Sequence, residues 1–71
     1  MKKNKLKIIL NGKDYSIYGE KNINELINDL NLKNKSFALA VNGEVIKKEQ
    51  FEDFIIMPNS KIEIISAVGG G

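Results

Sequence analysis

Leu6-Lys7-Ile8-Ile9-Leu10-Asn11-Gly12-Lys13-Asp14-Tyr15-Ser16-Ile17-Tyr18 reads as two strands joined by a tight turn. Leu6, Ile8 and Leu10 alternate with Lys5, Lys7 and Ile9, the period of a strand with one apolar face. Asn11-Gly12 is the strongest short hairpin signal, because both residues tolerate positive φ. Tyr15 and Ile17 lie in the returning strand, so residues 5–18 are expected to form a β-hairpin.

Gly19 breaks that strand. Asn22 can cap a helix, and Glu25 three residues later can reach back to the cap. Ile23, Leu26, Ile27 and Leu30 fall at i, i+3, i+4 and i+7, one apolar stripe, with Glu25, Asn28 and Asp29 on the wet side. The spacing predicts a helix over residues 23–31. Phe37, Leu39 and Val41 alternate with Ala38 and Ala40 in a third strand. Asn42-Gly43 is a second hairpin signal, followed by Glu44-Val45-Ile46-Lys47 as a short strand. Phe51, Phe54 and Ile55 are expected to plug the core from a loop or a single helical turn. Pro58-Asn59-Ser60 reads as a turn, and Lys61-Ile62-Glu63-Ile64-Ile65-Ser66 as the last strand.

A hairpin, a helix and two or three further strands give an α+β fold of the β-grasp type. It is a mixed sheet of four to five strands with one helix packed across one face, because the helix stripe needs a sheet face to cover. The expected core is Leu6, Ile8, Leu10, Ile17, Leu39, Val41, Ile62 and Ile64 from the strands, met by Ile23, Leu26, Ile27 and Leu30. Residues 1–71 read as a single domain, with 1–5 an extra N-terminal segment and 69–71 a flexible glycine tail.

The chain has 71 residues, 42% hydrophobic and 28% charged, with a net charge of +2. Cysteine and histidine are both absent. That removes disulfides, thiol nucleophiles, the usual zinc ligands and the commonest general base, so no metal site and no catalytic residue is expected. No apolar run approaches the ~20 residues of a membrane span, and no signal-peptide stretch follows the basic Met1–Lys5. The expectation is a cytoplasmic protein with no membrane partner. All 11 basic residues are Lys. Nucleic-acid readers lean on the Arg fork and on stacking aromatics, so no nucleic-acid partner is expected. Biased codon usage accounts for the Lys, Asn and Ile richness at least as well as a polyanion does.

Chemistry points instead to the end of the chain. Gly69-Gly70-Gly71 follows directly on the last predicted strand. Glycine is a poor residue for ending a strand, but a run of glycines is a thread that fits a narrow channel in another protein. Its tip offers one reactive group, the α-carboxylate of Gly71. A carboxylate is a poor electrophile until ATP converts it to an acyl-adenylate; sulfur can then displace AMP and leave a thiocarboxylate. The plain alternative, a disordered tail or cloning scar, loses ground because the glycines extend straight from a β-grasp strand.

With tail and fold joined, the chain resembles the ThiS family, the sulfur carriers of thiamin biosynthesis, from about Leu6 to Gly71. The matching pieces are Leu10-Asn11-Gly12, Ile23-Asn24-Glu25-Leu26-Ile27, Ala40-Val41-Asn42-Gly43-Glu44-Val45-Ile46, and Ile62-Glu63-Ile64 through Ala67-Val68-Gly69-Gly70-Gly71. Asn59-Ser60 stands where the family commonly has Gly-Asp. The resemblance implies that Gly71 is adenylylated by a ThiF-type adenylyltransferase using ATP and magnesium, with Gly69 and Gly70 entering the partner's active site. It then implies that Gly71 takes sulfur from a sulfur donor protein and passes it to a ThiG-type thiazole synthase. The chain would be a carrier acted on by enzymes and not itself an enzyme, with no bound cofactor. A molybdopterin-type or tRNA-thiolation carrier, or a β-grasp module with an inert tail, are the alternatives.

Ile9, Ala40 and Ile65 fall on the opposite phase from the core residues of their strands, next to Val45 or Ile46. They are a candidate partner-docking face, and ubiquitin-like proteins are similar in using the open sheet face. Scattered surface apolar residues are the bland reading. Glu49, Glu52 and Asp53 read as a solvated loop, Lys47-Lys48 as a solvated face, and Tyr15 and Tyr18 as packing residues with wet hydroxyls.

Overall fold

Two Asn-Gly pairs set both hairpins. Asn11 and Gly12 have φ of 50° and 83°, and Asn42 and Gly43 have 52° and 85°. This is the doubly left-handed pair of a type I′ turn, whose twist matches that of the flanking strands. The computed structural model describes residues 4–66. The first turn joins β1 (Lys5–Leu10) to β2 (Lys13–Tyr18), and the second joins β3 (Phe37–Val41) to β4 (Glu44–Val45). The expected hairpin over residues 5–18 is present in register, with Lys5 opposite Tyr18 and Leu10 opposite Lys13. The Asn4 carbonyl accepts the Gly19 N–H, so positions 4 and 5 extend the strand; residues 1–3 lie outside the described region.

Helix α1 spans Ile23–Asp29 and starts on the capping box anticipated from Asn22 and Glu25. Asn22 Oδ1 accepts the Glu25 N–H at 2.8 Å, and Glu25 Oε1 accepts the Asn22 N–H at 2.8 Å. The helix ends two residues before the expected 31. Asn31 adopts φ 60°; its N–H donates to the Asn28 carbonyl, while the Leu32 N–H reaches back to the Ile27 carbonyl at 3.0 Å. That is a Schellman end with asparagine in the left-handed position, and Leu32 folds back onto the core as such ends require.

After β4 a 3₁₀ turn covers Lys48–Gln50, and β5 spans Lys61–Ser66. The five strands form one sheet in the order β2-β1-β5-β3-β4. β5 runs parallel to β1 and antiparallel to β3, so the C-terminal strand lies in the middle of the sheet. The helix packs on one face over Ile8, Ile17, Leu39, Val41 and Ile62, all buried. Leu6, Leu10, Leu30 and Ile64, also expected in the core, are half-buried at its margin.

Three expectations for the second half change. The strand after Asn42-Gly43 stops at Val45, because Lys47 begins the 3₁₀ turn, its N–H held by Gln50 Oε1 at 2.9 Å. Ile46 turns inward and is buried. Ile55 is 41% exposed, and Ile56, only 2% exposed, is the residue that plugs the core. The cause is an extended strap: Ile55 bridges to Asn22, and the Ile56 N–H donates to the Lys21 carbonyl. In extended chain neighbouring side chains point opposite ways, so only one of the pair can face in. Phe51 is buried as expected and stacks on Phe37 with ring centroids 6.2 Å apart. The expected turn before β5 is Met57–Ser60, with the Ser60 N–H donating to the Met57 carbonyl and Asn59 at φ 66°, the position where a Pro-Asn type II turn needs positive φ.

Candidate functional site

The residues given the chemical role from sequence, Gly69, Gly70 and Gly71, lie outside the described residues. The strand that leads to them is described in full. Its alternation turns Ile62 and Ile64 toward the helix and Lys61, Glu63 and Ile65 to the open face. β1 pairs with β5 only at Ile9–Lys61 and Leu10–Ile62, whereas β3 follows β5 from Val41–Ile62 to Phe37–Ser66. Two asparagine side chains add to the strand's hold. Asn42 Oδ1 accepts the Lys61 N–H at 2.9 Å, and Asn11 Oδ1 accepts the Ile64 N–H at 2.8 Å. The sequence marks both asparagines only as turn formers; their second role depends on which strand lies beside each turn.

The open face places the three proposed docking residues unequally. Ala40 lies between Glu63 and Val45, and Ala38 lies opposite Ile65. Val45, Ala40, Ala38 and Ile65 therefore form one apolar group, and Val45 and Ile65 are each 68% exposed. Ile9 stands apart, opposite Asp14 on one side and Lys61 on the other. Lys61 precedes Ile65 by four residues, a separation of about 13 Å along a strand. Ile46, weighed as a neighbour of the patch, belongs to the core. The two-residue turn could have shown this, since it pairs Val45 with Ala40 and sends Ile46 to the opposite face.

Tyr15 is half-buried against the core, while Tyr18, expected to pack, is 53% exposed because it pairs with Lys5 on the open side. Lys7 Nζ lies 3.9 Å from Asp14 Oδ2 with both side chains well exposed, a pair that contributes little to stability. The tighter pair is Lys21 Nζ to Asp29 Oδ2 at 2.9 Å. The hydrogen bond to Asp29 raises the Lys21 pKa above its ordinary 10.5, against a smaller opposing effect of burial. An open groove of about 970 Å³ lies between α1 and the β3–β4 side, lined by Asn24, Asn28, Lys35, Phe37, Ile46 and Phe51 among others. Among the described residues no group of three His, Cys, Asp or Glu side chains is placed to hold a metal, and no helix is long and apolar enough to cross a membrane.

A five-stranded mixed sheet grasping one helix, with its C-terminal strand central and its other face open, defines a ubiquitin-like β-grasp protein. The crystal structure of the thiamine biosynthesis protein ThiS from Geobacter metallireducens superposes with a TM-score of 0.80 at 26% identity, covering 93% of this chain and 100% of that one. The NMR solution structure of a thiamine biosynthesis protein from the same organism gives 0.76, also at 26% identity, over 93% of this chain and 88% of that one. The chain belongs to the ThiS family, whose profile matches residues 8–71. A protein of Trieres chinensis described as uncharacterized protein ycf40 is 32% identical over 62 residues, 87% of this chain and 85% of that protein. A thiazole synthase of Paramagnetospirillum magneticum is 23% identical over 66 residues; the match takes in 93% of this chain but only 20% of that protein.

Proposed function

We propose that this chain is a sulfur carrier protein for thiazole formation in thiamin biosynthesis, working in the cytoplasm as a co-substrate of partner enzymes. The carboxylate of Gly71 attacks ATP, held with magnesium in a ThiF-type adenylyltransferase, giving the acyl-adenylate and pyrophosphate. Sulfur supplied at the sulfide level by a donor protein displaces AMP and leaves the thiocarboxylate, which a ThiG-type thiazole synthase consumes. Gly69 and Gly70 are the side-chain-free approach that lets Gly71 enter the adenylylating site. The apolar group on the open face is the docking surface for the activating enzyme.

The observation that carries this reading is the family match, which continues to residue 71 and so includes the glycine end. The match to a fraction of a thiazole synthase supports the ThiG-type partner: in that protein a ThiS-like stretch shares one polypeptide with the remainder. The test is an intact mass after incubation with a ThiF-type enzyme, ATP, magnesium and a sulfur donor system. Replacement of one oxygen by sulfur, mapped to Gly71, is expected, and removal of Gly70 and Gly71 abolishes it while leaving the fold intact. No adduct with enzymes competent on their own carrier would refute the proposal.

A further inference from the structure

Strand β1 ends before its neighbour does. Its last rung to β5 is Leu10–Ile62, after which the chain turns away at Asn11-Gly12. In an extended strand the N–H and C=O of one residue point to the same edge, and successive residues alternate edges. The Ile62 carbonyl accepts the Asn11 N–H at 2.9 Å on the β1 edge, so the Ile64 N–H points to that edge too. No β1 residue is left to meet it; the Asn11 side chain does, at 2.8 Å. Asn42 makes a similar bond on the other edge, but at Lys61, where β5 begins. Two asparagines in matching turns thus hold the same strand at opposite ends. Only Asn11 acts on the end that continues toward residues 67–71.

We infer that Asn11 is a positioning residue for the reactive C-terminus: its side-chain carbonyl replaces the missing β1 rung and fixes the direction in which β5 leaves the sheet. The inference rests on the sulfur-carrier reading and adds a residue to it. Adenylylation needs the Gly71 carboxylate in line with the α-phosphate of ATP in the partner's site. A docked carrier whose strand end swings away from β3 presents that carboxylate in fewer productive poses. Docking through the open face does not involve the β1 edge, so the loss falls on turnover and not on affinity.

The experiment compares Asn11→Gly, Asn11→Asp and Asn42→Gly in the full chain. Glycine keeps the positive φ of each turn and removes only the side chain, so both hairpins survive. Aspartate tolerates the same φ and keeps an acceptor oxygen. With the ThiF-type enzyme and ATP, Asn11→Gly is expected to lower kcat for adenylylation about tenfold, within the range that small misplacements cost, with KM unchanged. Asn11→Asp recovers most of the rate, and Asn42→Gly leaves kcat near the wild-type value. Amide hydrogen exchange followed by NMR gives a second readout: exchange at Ile64 rises in Asn11→Gly and not in Asn42→Gly. Equal losses of kcat in the two glycine variants, no loss in Asn11→Gly, or an aspartate variant no better than glycine would each overturn the inference. If the wild-type chain accepts no AMP, the carrier reading falls, and amide exchange alone decides whether Asn11 fixes the strand end.

Discussion

Replacing Ile65 by Thr tests whether the open face is a docking surface. Ile65 is 68% exposed opposite Ala38, so much of its side chain remains to be covered by a partner. Threonine keeps the β-branched shape that suits a strand and exchanges two carbons for a hydroxyl. At roughly 0.8 kcal/mol per buried methylene, scaled to the exposed fraction, the lost contact is worth about 1 kcal/mol, or roughly fivefold in Kd. Val45→Thr removes one methyl from a residue equally exposed. The double variant is expected to lose about 1.5 kcal/mol, roughly tenfold in Kd. Fold stability moves by no more than about 0.5 kcal/mol, as for other surface changes. The assay is calorimetric titration of the activating enzyme, with a thermal melt of each variant as control. Ile9→Thr is the internal comparison; Lys61 and Glu63 separate Ile9 from the group, so its effect stays below about twofold. A double variant that binds as tightly as the wild type, or an Ile9→Thr that weakens binding as much as Ile65→Thr, refutes the assignment of that face.

Two further outcomes concern the scaffold. Ile56→Ala is expected to cost about 2–5 kcal/mol by opening a cavity, a large part of the roughly 4–10 kcal/mol that holds a domain of this size. Ile55→Ala stays within about 1 kcal/mol; urea midpoints measured side by side check the contrast, and a lower midpoint for Ile55→Ala than for Ile56→Ala would show the strap is reversed. Lys21 makes stability fall at alkaline pH, because its folded pKa lies above the ordinary 10.5. Its contribution is complete below that unfolded value and is lost as pH rises through the raised folded value. The stability difference between wild type and Lys21→Met, from urea titrations at successive pH values, should therefore be constant through neutral pH and shrink above 10.5; a difference that grows there contradicts the ion pair.

What could be read from sequence were features whose partners lie close along the chain. Asn-Gly between alternating strands and Asn22 with Glu25 at a helix start each specify a local geometry, and each is present. The helix end was missed because Asn31 interrupts the helix without a glycine to announce it, although the apolar Leu32 after it marks a Schellman turn. Ile55 and Ile56 could not be told apart by composition, since which one faces inward is decided by a bridge to Asn22 far earlier in the sequence. The candidate site divides in the same way. The three glycines proposed as its chemical end stand out in the sequence and lie outside the described residues. The split of Ile9 from Ala40 and Ile65 required the order β1-β5-β3, which pairs segments from opposite ends of the chain.

That order also shows how a small domain without a disulfide secures its last described strand. Terminal segments usually fray, because few contacts tie them down. Here the C-terminal strand of the described region has β1 along one edge and β3 along the other. Ile62 is fully buried beneath the helix. Opening β5 means breaking both ladders and exposing the core, so the cost approaches that of unfolding the whole domain. Ile64, by contrast, is only half-buried, and its N–H depends on one side chain fifty-three positions away. Rigidity therefore declines along the strand, from a centre that cannot move without global unfolding to an end held by β3 and Asn11. On the sulfur-carrier reading proposed above, that gradient supplies what the described strand can supply: a fixed base that sets the direction in which β5 leaves the sheet.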